Sequence, residues 1–217
     1  PVKKSKVKEW ARLERNRLQE SYLDIFHEAG QMVQFDWGTK KMKINGRNRT
    51  VCFAVFAFPY SNYRYVYVTE RMDRRAFVEA FTAFTKHIDG VFPILLIDNM
   101  KIATRYSSYC NQQPKLTTLF QQLEDHYKIE VRLCTPYRPN QKGTVENAVR
   151  TLKTHLFAYQ PSFDSLDELQ KKIHISFNHL NQKKHHEKND TIIDLLQHEK
   201  RHKFPAPKNT LSIFRRK

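Results

Sequence analysis

Three acidic residues have the side chains and the positions along the chain that metal-assisted phosphate chemistry requires. Asp36 lies in a predicted strand, Asp98 follows the apolar stretch VFPILLI, and Glu146 lies in the first turn of a predicted helix. Converging carboxylates repel one another, and a divalent ion relieves that repulsion because Mg²⁺ binds carboxylate and phosphate oxygens. If their elements are neighbours, the three residues form a candidate site for Mg²⁺ or Mn²⁺. Two such ions activate an attacking oxygen and stabilise a leaving one.

Each of these carboxylates also has an ordinary structural explanation. Asp36 could be an exposed residue of an edge strand, and Asp98 could cap the turn at Asn99. Glu146 could interact favourably with the dipole of its own helix. The three explanations are independent of one another, whereas a shared site explains all three residues together with the order of the elements and the basic charge.

The elements that position these residues begin with an antiparallel meander. Alternating apolar residues predict a first strand over 31–37, with Met32, Gln34 and Asp36 on one face and Val33, Phe35 and Trp37 on the other. Further strands are predicted over 49–58 and 63–69. The Asn45-Gly46 pair indicates a tight hairpin turn between the first two.

Helices alternate with single strands after the meander. Helical spacing or apolar runs predict, in order, a helix over 74–88, a strand that ends at Asp98, a helix over 116–127, a strand over 129–134, and helices over 144–157, 165–181 and 191–202, with loops over 103–114 and 135–143. This order predicts an α/β fold with a mixed five-stranded sheet flanked by helices, its later strands parallel to the first. We predict four regions: a helical arm at 1–29, a catalytic core at 30–160, a helical extension at 161–203 and a basic extended tail at 204–217.

The charge of the chain indicates a polyanionic partner. Lys and Arg number 38 against 22 acidic residues, a formal charge of +16, and cations that neutralise phosphates release counterions. A basic protein without such a partner is the alternative. The three cysteines form no CxxC pair, which argues against a structural zinc site and fits a reducing compartment. No apolar run reaches the ~18 residues of a spanning helix, and the N-terminus has no signal-peptide pattern.

Three sequence blocks carry a resemblance to a known family. QFDWG (34–38), LIDNMKIAT (96–104) and PYRPNQKGTVENAVR (136–150) resemble the IstA-type transposases of bacterial insertion sequences. These transposases have the DDE catalytic core of the retroviral integrase superfamily. The resemblance implies a ribonuclease H-like fold over about 30–207, Asp36, Asp98 and Glu146 as the catalytic and metal-binding triad, and two Mg²⁺ or Mn²⁺ ions as cofactors.

The resemblance also implies an activity and partners. It implies 3′-end processing and strand transfer of insertion-sequence DNA, with transposon ends and target DNA as substrates. A homo-oligomer, a AAA+ ATPase helper and a location at the bacterial nucleoid in the cytoplasm are implied too, without any membrane partner. The helix-turn-helix modules and small β domain of the family are not recognisable in this chain. The alternatives are a nuclease of the same fold that only hydrolyses DNA, and a non-catalytic DNA-binding or assembly module.

Polar and basic residues beside the triad are candidate DNA contacts. Arg150 and Lys153 follow Glu146 at i+4 and i+7, so we expect both to reach DNA phosphates; the alternative for Arg150 is an ion pair with Glu146. Asn99 and Lys101 directly follow Asp98 and could orient a metal-bound water or a phosphate. The proline-containing loop before the Glu146 helix adds four candidates for positioning a strand end, or four solvated residues: Arg138, Asn140, Gln141 and Lys142.

Overall fold

The computed structural model describes residues 27–105, 114–134, 143–156 and 162–209, with the side chains of 155 and 156 excepted. The predicted helical arm lies almost entirely outside these residues, as does the loop that carries Arg138, Asn140, Gln141 and Lys142. The described strands are β1 (Met32–Ile44), β2 (Arg47–Ala57), β3 (Arg64–Thr69), β4 (Ile94–Ile97), β5 (Thr104–Arg105), β6 (Lys115–Leu116), β7 (Glu130–Leu133) and β8 (Ser162–Phe163). The described helices are α1 (Arg74–Ile88), α2 (Thr118–Tyr127), α3 (Gly143–Thr151), α4 (Leu166–Asn181) and α5 (Ile192–Glu199).

The main sheet has the predicted mixed topology. Its strands lie in the order β3-β2-β1-β4-β7, with β1, β2 and β3 antiparallel and with β4 and β7 parallel to β1. The short strand β8 adds a parallel pairing at the end of β1. Helices cover both faces, so the α/β prediction of a five-stranded sheet is confirmed, with β8 as an addition.

Several boundaries differ from the prediction, and two of them are informative. The first strand continues from Trp37 to Ile44, because Met42 and Ile44 alternate inward between exposed lysines and are only 4% and 3% exposed. The helix predicted from residue 116 begins at Thr118 instead. Its first predicted residue, Leu116, forms β6 together with Lys115, and β6 pairs with β5, which lies inside the predicted loop 103–114. Two-residue strands are too short to show a periodicity, so no sequence pattern indicated this pairing.

Two apolar layers hold helices against opposite faces of the sheet. The layer beneath α1 and α2 is rich in aromatic residues, whose members include Phe35, Phe56, Phe77, Phe84 and Phe120. The Phe56 and Phe84 rings stack at 4.3 Å. The layer beneath α3 and α4 contains more aliphatic residues, among them Phe53, Val55, Val145, Val149, Leu169 and Ile173. Because α3 belongs to this second layer, the face of β1 that carries Asp36 is the face that α3 covers.

Helix α4 also protects the outer edge of the sheet. The Gln170 carboxamide donates to the Val66 carbonyl at 2.9 Å and accepts from the Val68 N–H at 2.7 Å. The Asn181 carboxamide does the same at Arg64, at 2.9 and 3.2 Å. These two side chains bond backbone groups of β3 that would otherwise form an unpaired strand edge. The boundary predicted at residue 161 is not tested by this packing and stays a prediction.

A buried carboxylate joins three separate segments at one end of the molecule. Glu199, at the end of α5, is 0% exposed and accepts the Gly30 N–H and the Ser61 N–H, both at 3.1 Å. Burial raises the pKa of Glu199 to about 7. This carboxylate therefore fixes both the entry into β1 and the turn between β2 and β3. None of the helices among the described residues has the length and apolarity needed to cross a bilayer.

Candidate active site

Asp36 and Asp98 occupy equivalent positions on two neighbouring parallel strands. The β1–β4 register pairs Phe35 with Ile97, so each aspartate is the next residue beyond that pair. The backbones of adjacent strands lie about 4.8 Å apart. Phe35 and Ile97 both belong to the layer beneath α1 and α2, so Asp36 lies on the opposite face of β1, beneath α3. The strand register therefore places Asp36 and Asp98 at the same level on two adjacent strands.

Glu146 lies in the first turn of α3, and its helix is docked directly on β1. Gln34, only 1% exposed, accepts the Val145 N–H through its Oε1 at 3.1 Å. That N–H is one of the donors at a helix start that have no partner within the helix. Glu146 is the next residue and is exposed. Gln34 is two residues before Asp36 on the same strand face, so this bond fixes the start of the Glu146 helix beside Asp36.

A second close contact holds α3 on the other side of Asp36. A Cβ on Gly38 would lie 3.2 Å from Cγ1 of Val149, a tight approach that glycine avoids because it has no side chain. Val145 and Val149 thus contact β1 at Gln34 and Gly38, on either side of Asp36. Glu146 belongs to the helical turn between these two contacts, so the helical turn that carries Glu146 lies against the part of β1 that carries Asp36.

The backbone beyond β4 is fixed by side-chain hydrogen bonds. The Asp98 Oδ1 accepts the Asn99 N–H at 2.7 Å, and Asn99 Nδ2 donates to the Cys134 carbonyl at 3.3 Å. The Asn99 Oδ1 is buried and has no partner among the residues that the structure describes. Asn99 therefore ties the end of β4 to the end of β7 and leaves one acceptor beside Asp98. The predicted role of Asn99 beside Asp98 stays a prediction.

The oxygen ligands of the three carboxylates suit a divalent metal, whereas the distances between the side chains do not form an ion site among the described residues. Within the described part of the chain, no three His, Cys, Asp or Glu side chains lie close enough together to hold an ion. The donor set consists of carboxylate oxygens, which suit Mg²⁺ or Mn²⁺ and not the softer ions that prefer Cys or His. Asp98 and Glu146 are exposed and Asp36 is half-buried, so all three remain accessible to a hydrated ion.

The candidate DNA contacts are only partly described. Arg150 is exposed, and its guanidinium donates to Asn147 Oδ1 at 3.0 Å instead of pairing with Glu146. Lys153 is exposed in the π-helical turn Leu152–Leu156 that continues α3, and Lys101 is exposed in the turn after Asp98. Arg138 and Lys142 belong to the predicted loop, which lies outside the described residues. These five residues and Asn99 therefore stay predictions as DNA contacts.

Gln34 and Gly38 are the functional positions that the sequence reasoning did not identify. The strand pattern placed Gln34 on the face of Asp36 and gave it no role. Its polar side chain within a strand that packs into the core was the available signal, because a buried amide needs a hydrogen-bond partner. Gly38, the last residue of the QFDWG block, lies in the strand interior, where glycine often marks a close approach of another segment.

The sequence is similar to an integrase core family and to transposases. The Integrase core domain family matches residues 127–190, which include Glu146. A putative transposase for insertion sequence element IS5376 of Geobacillus stearothermophilus is 27% identical over 146 residues, covering 67% of this chain and 36% of the relative. The transposase for insertion sequence element IS232 of Bacillus thuringiensis is 22% identical over 186 residues, covering 84% of this chain and 42% of the relative. The chain thus spans well under half the length of these relatives.

Solved structures give the same fold. The catalytic core domain of BIV integrase has a TM-score of 0.54 at 17% identity, covering 79% of this chain and 97% of that domain. The HTLV-2 integrase catalytic core domain in complex with magnesium has a TM-score of 0.55 at 18% identity, covering 77% and 97%. These likenesses establish the ribonuclease H-like fold of integrase cores. Together, the family match, the sequence relatives and this fold support a DDE transposase catalytic core.

Proposed function

We propose that the chain is the metal-dependent core that processes and joins the DNA ends of an insertion sequence. The observation that carries the proposal is the placement of Asp36 and Asp98 one residue beyond the same register pair, with the start of the Glu146 helix bonded to β1 at Gln34. The sequence relatives are transposases, which supports DNA as the substrate. The charge of +16 supports a polyanionic substrate independently of the relatives.

The three carboxylates would act as ligands and not as nucleophiles. Asp36, Asp98 and Glu146 would hold two Mg²⁺ or Mn²⁺ ions, which supply Lewis-acid stabilisation of charge on the attacking and leaving oxygens. Asn99, fixed by the Cys134 carbonyl, would orient a water or phosphate beside Asp98 through its Nδ2 amide group. Gln34 would be a positioning residue, because it acts on Glu146 only through the start of α3.

The reaction consists of two in-line displacements at phosphorus. In the first, water attacks a phosphodiester at the transposon end, the P–O3′ bond breaks, and the products are a 3′-hydroxyl and a 5′-phosphate. In the second, that 3′-hydroxyl attacks a target phosphodiester, and the 3′-oxygen of the target strand leaves with the proton. One phosphodiester forms for each that breaks, so the joining step needs no external energy source.

The remaining partners follow from this substrate. Polar and basic side chains around the site would bind the DNA backbone: Asn99, Lys101, Arg138, Lys142, Arg150 and Lys153. A homo-oligomer would bring two transposon ends together in the bacterial cytoplasm, where the chromosome lies, and a AAA+ ATPase helper would select the target. These parts of the proposal rest on the resemblance of the three sequence blocks.

The test uses the full-length protein and a plasmid that carries its own insertion sequence. Wild-type protein in Mg²⁺ should release 3′-hydroxyl ends and form joined products on labelled target DNA. Asp98→Asn and Glu146→Gln should lose both products, while Asp125→Asn, an exposed carboxylate on α2, should keep them. Retained processing and joining in Asp98→Asn would show that the site assignment is wrong.

The same experiment separates the alternative functions. Ends that are released and never joined, in wild-type protein with its helper present, would indicate a hydrolytic nuclease of this fold. Neither product, combined with DNA binding, would indicate a non-catalytic module. Calorimetric titration of Mn²⁺ into the protein without DNA gives a second readout, because Glu146→Gln should weaken ion binding while Asp125→Asn should not.

A further inference from the structure

The strands β1 and β2 continue past the candidate site as a two-stranded ribbon. β4 pairs with β1 only from Met32 to Phe35, whereas β2 pairs with β1 as far as Ile44. Residues 37–54, which we name the basic ribbon, therefore extend beyond the carboxyl end of β4, starting next to Asp36. Lys43 is the seventh residue after Asp36, which corresponds to about 24 Å along an extended strand.

Cations are concentrated in the ribbon without acidic residues to balance them. It contains five basic residues, Lys40, Lys41, Lys43, Arg47 and Arg49, and the sequence has no Asp or Glu between Asp36 and Glu70. Arg49 pairs with Glu70 at 2.8 Å. No ion pair among the described residues involves any of the three lysines. The ribbon thus carries a positive potential that the rest of the described structure does not neutralise.

Two of the lysines belong to one polar patch on the exposed face. The β1–β2 register pairs Lys41 with Thr50 and Lys43 with Asn48, and all four residues are exposed. Because strand residues two apart share a face, the two lysine side chains start about 7 Å from each other. A groove of 630 Å³ lies against this patch and is lined in addition by Arg49 and Ser162. Ammonium, guanidinium, amide and hydroxyl donors together are the groups that bind phosphate oxygens.

The opposite face of the ribbon is anchored in the apolar layer. Met42, Ile44 and Val51 are at most 4% exposed and pack in the layer that contains Phe163 of β8. The Asn45 N–H donates to the Phe163 carbonyl at 2.8 Å, which fixes the hairpin turn. The backbone under the lysines is therefore ordered before any ligand arrives, so binding does not include the cost of ordering this backbone.

We propose that the basic ribbon binds the sugar–phosphate backbone of duplex DNA beside the reacting phosphodiester. The proposal rests on the proposed function for the location of that phosphodiester. Lys41 and Lys43 lie about 17 and 24 Å from Asp36 along β1, on the strand face opposite to Asp36, and these distances correspond to about five to seven base pairs at 3.4 Å per base pair. The contacts are to phosphates and not to bases, so the surface is independent of sequence and does not select the transposon end.

The test measures the salt dependence of DNA binding without metal. Fluorescence anisotropy of a labelled 30-base-pair duplex of arbitrary sequence gives Kd between 50 and 200 mM NaCl in EDTA, so that the result does not depend on catalysis. Each phosphate contact contributes about 0.9 to the slope of log K against log salt, so Lys41→Ala/Lys43→Ala should lower the slope by ~1.8. Lys41→Arg/Lys43→Arg should retain the wild-type slope.

The control removes the same charge elsewhere. Lys183→Ala/Lys184→Ala changes two exposed lysines that follow α4 and should leave the slope unchanged. Equal slopes for wild type and the ribbon variant, or equal losses in ribbon and control variants, would overturn the proposal. A loss of slope on duplex RNA alone would also overturn it. If Asp98→Asn kept its activity while the ribbon variant lost its slope, the proposed function would fail and the ribbon would still bind DNA.

Discussion

Substitution of Gln34 by Met tests how the Glu146 helix is held in place. Met has a similar length and volume but no acceptor, so the change removes the bond to the Val145 N–H and little packing. Gln34 and Val145 are 1% and 0% exposed, so water cannot replace the lost acceptor without a rearrangement of α3. A buried donor left without a partner costs about 1–3 kcal/mol, and we expect the free energy of unfolding to fall by that amount.

Two measurements separate this local effect from general damage. Urea unfolding gives the loss of stability, and amide hydrogen exchange reports whether the Val145 N–H loses protection while the amides of α1 keep theirs. Gln34→Glu retains an acceptor at the same position and should restore protection of Val145. Gln197→Met makes the same chemical change at an exposed position of α5 and should stay within about 0.5 kcal/mol of wild type.

The consequence for function follows from the next residue. If the first turn of α3 loosens, Glu146 moves relative to Asp36, and processing by the full-length protein should fall more in Gln34→Met than in Gln197→Met. Wild-type stability in Gln34→Met together with full protection of the Val145 amide would refute the view that Gln34 positions this helix.

Three further predictions concern stability. Glu199→Gln should remove a pH dependence of stability, because the pKa of Glu199 is about 7 in the folded state against 4.5 in the unfolded state. Between these two values only the folded state is protonated, so the contribution of Glu199 to the free energy of unfolding falls by about 3 kcal/mol as pH rises from 4.5 to 7. Urea unfolding of wild type and variant across this range measures the difference. His87→Gln should remove a pH dependence of the opposite sign, since burial lowers the pKa of His87 from 6.5 to about 4. Between these values only the unfolded state is protonated, so the contribution of His87 to stability is lost as pH falls from 6.5 to 4, and urea unfolding over that range checks the sign. Gln170→Ala should uncover the edge of β3, lowering stability by about 1 kcal/mol or more and raising light scattering on mild heating, whereas Gln122→Ala on exposed α2 should do neither.

The sequence predicted the parts of the fold that carry a repeated pattern. Alternation and helical spacing located the meander, α1 and the strand before Asp98, since each spans several periods of apolar residues. The pairing of β5 with β6 could not be predicted, because it depends on Thr117. Its N–H donates to the Ala103 carbonyl and its hydroxyl donates to the Ile102 carbonyl, at 2.8 and 2.9 Å across a long stretch of chain. No local pattern encodes such a pair of contacts.

The candidate site shows the same division. Asp36, Asp98 and Glu146 could be identified because the sequence blocks around them resemble a family and because the element order predicts adjacent parallel strands. The docking of α3 through Gln34 and Gly38 could not, since the strand–helix contact depends on which residues of two distant elements meet. A sequence shows that Gln34 faces the same side as Asp36, but not that its partner is the Val145 N–H.

β1 links the candidate site and the basic ribbon through one continuous backbone. Gln34 and Gly38 hold the helix of Glu146, Asp36 lies between them, and Lys41 and Lys43 follow on the same paired strand with β2 alongside throughout. No hinge separates these positions, so their spacing is set by strand geometry. In the proposed complex, phosphates bound by the ribbon would therefore hold the reacting phosphodiester at a fixed distance from the carboxylates. Contacts that do not depend on DNA sequence would then raise the rate, because they restrict the motion of the substrate. Positioning alone can supply this part of catalysis.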